Sequence, residues 1–360
     1  MKTITVSEVK DIVKHLVIGL NKAAIFRGRF GAGKSAGVNQ SAQELNEKGA
    51  LIDLLGEDTP YKRVEVIDVR LGQYDSVDLR GFPHPDKATG TAIWYPPGTL
   101  PFIGNDSFND EPIYLLFLDE FTSATAAVFA VCYQLILDRC IGEHVLRDNV
   151  RICMAGNLDD DKGIVNKTPM PLNNRMAHFK VENTRDEFCA YAQSVGVPPV
   201  FIAFWRFREA LINNYNPKES NPVVATQRSW FSFVDIYTSK MPYHIKEACL
   251  VATIGEGPTM EFLAFAAIWK TLVPIGDILA NPEKVAVPPE DQAALRYAMA
   301  MHVSGNMTPK TVDQLHKYLV RLPPEFAVMA WQLATERDKT LFSSKAYMDY
   351  VQRYRDVYKS

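Results

Sequence analysis

The 360-residue sequence has little of several features that would assign it to a specialised class of protein. Its 5 cysteines include no C-x-x-C pair and its 7 histidines show no metal-ligand spacing, which argues against a disulfide scaffold and a zinc site. No run reaches the ~18 apolar residues of a membrane span, and residues 1–8 contain no apolar stretch of signal-peptide length. We therefore expect a protein without a membrane span in the reducing cytoplasm.

The sequence also lacks an excess of either charge. It contains 39 Lys and Arg against 42 Asp and Glu, which gives a net charge of −3. Proteins that bind nucleic acid nonspecifically usually have a strong positive excess, so the composition disfavours that class. A local basic loop or pore stays compatible with these numbers.

The most informative segment is the octapeptide at 28–35, which follows an apolar run at 23–26. It has the spacing G-x-x-x-x-G-K-[ST], in which glycines let backbone N–H groups surround a phosphate chain. In this pattern Lys34 reaches the β and γ phosphates, and the Ser35 hydroxyl is a Mg²⁺ ligand. We predict that ATP and Mg²⁺ bind there; a glycine-rich surface turn is the alternative. The predicted nucleotide-binding residues are Gly28, Arg29, Phe30, Gly31, Ala32, Gly33, Lys34 and Ser35.

The first half of the chain has the pattern of a doubly wound α/β fold. Apolar or β-branched runs that predict parallel strands stand at 23–26, 63–69, 113–118, 150–154 and 179–181. Helical segments separate them, among them 35–45 directly after the phosphate loop. An amphipathic helix is predicted at 7–20, with Ser7 as its N-cap.

Beyond about residue 184 the sequence predicts helices and no strand. Their predicted ranges are 200–215, 227–238, 260–273, 290–303, 312–320 and 344–358. Because a single core usually stops growing near ~250 to 300 residues, more than one domain is expected. We predict an α/β nucleotide-binding core at 1–183, an all-α lid at 184–245 and a C-terminal helical extension at 246–360.

An acidic pair follows the strand at 113–118. Ligands bind at the carboxyl ends of strands in open α/β sheets, and a phosphate loop needs a carboxylate near its Mg²⁺. Asp119 suits that metal-binding role, and Glu120 suits the base that polarises an attacking water. Asn157, after the strand at 150–154, could orient that water. Taken alone, the acidic pair would indicate helix N-terminal charge, and Asn157 a turn residue.

These residues, in this order, resemble the AAA+ ATPases, and specifically their MoxR-type branch, over residues 5–245. The resemblance implies Walker A at 28–35, Walker B at 115–120 and a sensor-1 asparagine at Asn157. The Pro- and Gly-rich stretch at 75–100 is similar to the branch's insertion in helix 2, and 137–146 to its hairpin before sensor 1. Arg29 and Phe30 depart from the pattern, since the family often has two prolines there.

Two arginines acquire roles only through this resemblance. Arg175 matches the arginine finger, which would reach the γ phosphate held by a neighbouring subunit, and Arg228 matches the sensor-2 arginine at the start of a lid helix. Without the resemblance, each would be interpreted as a solvated or salt-bridged arginine.

The resemblance also implies an assembly and a kind of work. It implies ATP hydrolysis by a homo-oligomeric ring, expected to be a hexamer, and chaperone-like remodelling of a protein client with a von Willebrand factor A domain. An AAA+ motor or loader acting on nucleic acid is the alternative, which the acidic balance disfavours. A nucleotide-gated scaffold would require hydrolysis to be absent, and the intact Glu120 argues against it.

Overall fold

The computed structural model describes residues 1–158, 170–216, 218 and 221–355. Within these residues the chain forms two compact units. The first consists of Met1–Glu187 with the short segment Asn216–Ser220, and the second of Phe188–Tyr215 and Asn221–Ser360. The division of the chain into core, lid and extension stays a prediction.

The first unit contains a parallel sheet and two short antiparallel hairpins. Its described strands are numbered in chain order. They are β1 (Lys2–Ile4), β2 (Ala24–Arg27), β3 (Arg63–Arg70), β4 (Phe82–Asp86), β5 (Thr91–Tyr95), β6 (Pro112–Asp119), β7 (Cys140–Ile141), β8 (His144–Val145), β9 (Val150–Gly156) and β10 (Ala177–Val181). The 6-stranded sheet has the order β1-β10-β2-β9-β6-β3, and every neighbouring pair is parallel. The predicted α/β fold is thereby confirmed. The strand β1 was not predicted, because it is too short to show a periodic pattern.

Both faces of this sheet are covered, which explains the continuous apolar run of β6. Its alternate residues Leu116 and Leu118 belong to one buried cluster, and Leu115 and Phe117 belong to another on the opposite face. All four side chains are fully buried. A strand buried on both faces loses the alternation of polar and apolar residues, which is typical of parallel sheets.

In the described residues, helices connect these strands, and a last one follows β10. They are α1 (Val6–Ile12), α2 (Lys34–Leu45), α3 (Ala50–Leu55), α4 (Ser76–Arg80), α5 (Ala126–Leu137), α6 (Met170–Asn173) and α7 (Arg185–Ser194). The predicted helix at 7–20 is α1 continued by a π-helical segment, Val13–Gly19. Its predicted cap is wrong, because Thr5 and Glu8 form a reciprocal capping box that starts the helix before Ser7.

Two antiparallel hairpins project from the sheet connections. The first pairs β4 with β5 inside the stretch predicted as an insertion, and the second pairs β7 with β8. A cleft of about 370 Å³ is lined by Arg80, Trp94, Gln134, Ile141 and His144, among others, from both hairpins and their adjoining helices. The first hairpin exposes large apolar side chains, since Phe82 is 66% and Tyr95 59% exposed.

The described residues of the second unit form helices and loops and no strand. Its helices after α7 are α8 (Pro199–Phe207), α9 (Gln227–Thr238), α10 (Tyr243–Ile254), α11 (Glu256–Lys270), α12 (Ile275–Ala280), α13 (Ala293–Gly305), α14 (Val312–Leu319), α15 (Pro324–Arg337) and α16 (Lys345–Arg353). The prediction for 200–215 was too long, because α8 ends at Phe207 and a 3₁₀ turn, Glu209–Leu211, follows. The end of the helix predicted at 344–358 lies partly outside the described residues.

One hydrophobic core joins residues on both sides of position 245 in this unit. Phe201, Phe233 and Trp230 lie before it and Phe262 and Phe265 after it, and all of them pack in the same buried cluster. The rings of Phe201 and Phe262 stack with centroids 4.4 Å apart. None of the helices in the described part of the chain is long and apolar enough to span a membrane.

Candidate nucleotide-binding site

The loop between β2 and α2 has the backbone geometry that an anion site requires. Gly31 and Gly33 have φ values of 75° and 88°, a conformation that L side chains rarely adopt. Gly33 is also the N-cap of α2, and as a glycine it has no side chain that could occupy the N-terminus of that helix. The helix dipole favours negative charge at this end of α2, as a phosphate would supply.

Lys34 is folded back over this loop. Its ammonium is buried, with the residue 8% exposed, and Nζ donates to the carbonyl oxygens of Gly28 at 2.6 Å and Arg29 at 3.0 Å. The Asn157 Oδ1 atom lies 3.5 Å from the same nitrogen. The positive charge is thus fixed at the centre of the loop, where a phosphate would meet it.

Ser35 and Asp119 bring together the two oxygen types that Mg²⁺ prefers. The Ser35 hydroxyl donates to Asp119 Oδ2 at 2.7 Å, which joins the first turn of α2 to the end of β6. The other carboxylate oxygen of Asp119 accepts from the backbone N–H of Glu120 at 2.8 Å. A hydroxyl beside an oriented carboxylate fits a Mg²⁺ site that also uses phosphate oxygens. The roles of Ser35 and Asp119 as Mg²⁺ ligands stay predictions.

Glu120 stands at a tight turn directly after β6. Its φ of 54° places it in the left-handed region, and its backbone begins the 3₁₀ turn Phe121–Ser123. The side chain is exposed, and its Oε2 atom lies so near Gly72 that a methyl group there would be 2.6 Å away. The turn therefore brings the carboxylate of Glu120 close to Gly72, just beyond the end of β3. A strained residue of this kind is often found at functional sites.

The charge of Asp119 affects the pKa of a carboxyl group on the neighbouring strand β3. Burial raises the pKa of Asp68 on β3, and the nearby charge of Asp119 adds to the increase, while Arg70 opposes it. Arg70 is paired in register with Asp119 across the β3–β6 ladder. Asp68 thus lies within electrostatic range of Asp119 at the end of β6.

Asn157 is placed by the order of the strands. Because β9 lies between β2 and β6, the residue that follows β9 emerges between the phosphate loop and the acidic pair. Its amide is within reach of Lys34 on one side. On the other side, its backbone N–H donates to the Thr122 hydroxyl at 2.9 Å.

Thr122 is a residue of the site that the sequence did not reveal. It is polar but only 1% exposed, and it sits in the turn that Glu120 begins. The only signal available from the sequence is a threonine two positions after the acidic pair, which is too common to be informative.

Arg175 and Arg228 are both exposed, and they lie in different units of the chain. Arg175 is exposed just after α6, and the described residues supply no hydrogen bond or ion pair to its guanidinium. Arg228 is exposed in the second unit, in the first turn of α9, where Thr226 and Ser229 form a capping box. The roles of both arginines stay predictions.

Comparison with known proteins gives distant structural similarities only. No family model and no curated protein matches the chain. Among solved structures, the chain is similar to a candidate ATPase from Cytophaga hutchinsonii, with 11% identity, 91% of this chain and 80% of that chain covered, and a TM-score of 0.30.

Two further structures show similarity at the same level. One is NtrX from Brucella abortus in complex with ATP, with 11% identity, coverage of 98% of this chain and 66% of that chain, and a TM-score of 0.37. The other is Hsp104 with ATPγS and FITC casein, with 17% identity, coverage of 69% and 41%, and a TM-score of 0.31. Similarities of this size do not determine an activity, so function has to be inferred from the geometry of the site itself.

Proposed function

We propose that this protein hydrolyses ATP in the presence of Mg²⁺. The observation that supports the proposal most strongly is the convergence of three strand ends on one point. Lys34 and Ser35 follow the loop after β2, Asp119 ends β6, and Asn157 follows β9, which lies between β2 and β6. Lys34 contacts Asn157, and Ser35 contacts Asp119. A glycine-rich surface turn would not require this combination.

Each residue then has a distinct part in the reaction. The N–H groups of the loop and Lys34 bind the phosphates, and the Asn157 amide orients a water toward the γ phosphorus. Glu120 accepts a proton from that water as its oxygen bonds to phosphorus and the bond to the ADP oxygen breaks. Mg²⁺, held by Ser35 with Asp119 beside it, would supply charge neutralisation at the phosphate oxygens.

Phosphate release by the purified full-length chain tests this activity. We expect ATP turnover with Mg²⁺ that stops when the metal is chelated. Asp119→Asn should reduce turnover about 100-fold or more, because it removes the charge beside Ser35. The matched control is Asp58→Asn, in an exposed turn remote in sequence from the loop. Equal turnover by Asp119→Asn and the wild-type chain would contradict the assignment.

We further propose that the chain works as a ring of identical subunits, a hexamer of MoxR-type AAA+ character. The support is the exposure of Arg175, which lies on the same unit as the phosphate loop and is free to contact a neighbouring subunit. A residue given from one subunit to the site of the next requires head-to-tail contacts, and such contacts that close form rings. Arg228 would contact the phosphates as the sensor-2 arginine.

Mixing two inactive variants tests whether Arg175 acts across subunits. Lys34→Ala and Arg175→Ala should each be inactive alone. A 1:1 mixture should regain up to about a quarter of wild-type turnover, because one in four interfaces then pairs an intact loop with an intact arginine. A mixture as inactive as its components, under conditions where mixed rings form, would contradict action in trans.

The proposed work is the remodelling of a protein partner, for which a von Willebrand factor A domain protein is the expected client. The exposed Phe82 and Tyr95 on the first hairpin, beside Trp94 in the cleft, support a protein-binding surface. The nearby charges show no positive excess, since Arg80 and Lys87 stand against Asp75, Asp78 and Asp86. Aromatic residues can also stack on bases, so nucleic acid remains the alternative.

Two probes distinguish these clients. Turnover is measured with an unfolded protein, reduced and carboxymethylated lactalbumin, and with a 30-nucleotide single-stranded DNA. Stimulation by DNA that declines as salt increases would favour the nucleic-acid motor. Recovery of a von Willebrand factor A domain partner with the wild-type chain, and its loss with Lys34→Ala, would support the remodelling function.

A further inference from the structure

The two strands that present Glu120 and Asn157 separate before they reach the site. The ladder between β6 and β9 ends with the pair of Leu118 and Met154. Beyond that pair, Ala155 and Gly156 are in register with β2 on the other side. The sheet itself therefore does not fix the distance between the Glu120 carboxylate and the Asn157 amide.

Thr122 spans this gap. Its hydroxyl oxygen accepts a hydrogen bond from the Asn157 backbone N–H at 2.9 Å, and its side chain is almost completely buried. The same residue is held in the Glu120 turn, where the Ser123 N–H donates to the Glu120 carbonyl at 2.8 Å. The bond thus joins the turn that orients Glu120 to the residue that orients the water.

The other side of the same peptide unit is bonded to the phosphate loop. The Gly156 carbonyl, which shares a plane with the Asn157 N–H, accepts from the Gly28 N–H at 3.2 Å. The Gly28 carbonyl in turn accepts from Lys34 at 2.6 Å. Because a peptide unit is rigid, a displacement of the loop at Gly28 is transmitted through it to Thr122 and the Glu120 turn.

The packing at this peptide leaves no room for a larger residue. A methyl group at Gly156 would lie 2.6 Å from the Thr122 Cγ2 atom and 2.9 Å from its Oγ1 atom. Thr122 therefore fits against the backbone of Gly156 by shape as well as by hydrogen bonding. The methyl group of Thr122 thus lies close to Gly156, while its hydroxyl bonds to the Asn157 N–H.

We propose that Thr122 is a positioning residue for ATP hydrolysis, which couples the phosphate loop to Glu120 through the Gly156–Asn157 peptide. The inference rests on the proposed function, in which Glu120 is the base. Thr122 would not contact the nucleotide. It would set where the Glu120 carboxylate and the Asn157 amide stand relative to one another.

Two substitutions of Thr122 test the role of its hydroxyl separately from the role of its shape. Thr122→Val keeps the shape and removes the acceptor, and Thr122→Ser keeps the acceptor. We expect Thr122→Val to lower kcat about 10- to 100-fold, since small misplacements of reacting groups have effects of this size. The dissociation constant of Thr122→Val for a non-hydrolysable ATP analogue should stay within about threefold of the wild-type value, because the phosphate loop is intact. Thr122→Ser, which keeps the acceptor, should have a kcat close to that of the wild-type chain.

Amide hydrogen exchange measures the bond without reference to activity. Without its acceptor, the Asn157 N–H should exchange about threefold to tenfold faster in Thr122→Val, and Thr122→Ser should not show this increase. In the Glu120→Gln background, Thr122→Val should cause no further loss of turnover, because the group that it positions is already missing.

The outcomes distinguish this inference from the proposed function. If the wild-type chain hydrolyses ATP and Thr122→Val matches it in kcat, the positioning role is wrong. If exchange at Asn157 is the same in Thr122→Val as in the wild-type chain, the coupling is wrong whether or not ATP is hydrolysed. If exchange increases but the wild-type chain has no turnover, the bond stands and the proposed function fails.

Discussion

Gly33→Ala should disrupt the phosphate loop through two effects that the structure separates. Gly33 has a φ of 88°, and a methyl group there would lie 2.9 Å from Val6 Cγ2 at the start of α1. Gly49 provides the matched control, because its φ is 90° and no atom lies within 4 Å of the added methyl group. Both alanines experience the left-handed strain of about 1–2 kcal/mol, but only one also collides with a neighbour.

The difference between the two variants therefore isolates the contact of α1 with the loop. Overpacking of this kind costs about 1–3 kcal/mol, so Gly33→Ala should be less stable than Gly49→Ala by that amount. For a unit of this size, each kcal/mol lowers the midpoint of thermal unfolding by about 2–4 °C. Effects of alanine on the unfolded chain are the same at both positions and cancel.

Thermal unfolding followed by circular dichroism, together with binding of a fluorescent ATP analogue, measures both consequences. Gly33→Ala should unfold earlier and bind the analogue weakly, while Gly49→Ala keeps wild-type affinity. Equal unfolding midpoints for the two variants would refute the close approach of Val6 to Gly33. Full affinity in Gly33→Ala would refute the requirement for a left-handed residue in the loop.

Two further predictions concern other parts of the molecule. Lys34→Ala should weaken ATP binding by about 2–5 kcal/mol, which is about 30-fold to several thousandfold, because the phosphates lose a buried charge partner. Lys48→Ala, at an exposed position, should leave the affinity for ATP unchanged. Calorimetry that gives both variants the same affinity would contradict this prediction. Asp349→Ala should destabilise the second unit by about 1 kcal/mol in urea unfolding at pH 7, because the buried His316 loses its acceptor at 2.8 Å. The hydrogen bond to His316 lowers the pKa of Asp349. The stability that this bond contributes is therefore present above the ordinary pKa of an aspartate and is lost as pH falls through the lowered pKa. A stability difference between the wild-type chain and Asp349→Ala that persists in acid would contradict the role given to this bond.

The phosphate loop and the central strands could be predicted because their signals are local. The octapeptide at 28–35 specifies its own backbone, since Gly31 and Gly33 occupy the positions where φ is positive. The apolar run of β6 is continuous because both faces of the sheet are covered. Signals of this kind need no knowledge of the rest of the chain.

The parts that could not be predicted depend on contacts distant in sequence or on very short elements. Thr122 acquires its importance from Asn157, which reaches it only because β9 lies between β2 and β6. The strand β1 has only 3 residues and is fixed by pairing with β10. The strands β4 and β5 stabilise one another in a hairpin whose side chains are almost all exposed, so no buried face marks them in the sequence.

Steady-state phosphate release by Glu120→Gln, with nucleotide affinity measured on the same preparation, tests the central claim most directly. Glutamine has nearly the shape of glutamate, so the turn after β6 and the Lys34 site should persist. The prediction is a fall in turnover of about 100-fold or more with the dissociation constant for ATP within about threefold, while Glu57→Gln, at an exposed turn, behaves as the wild-type chain. Turnover by Glu120→Gln at the parental rate would contradict the account.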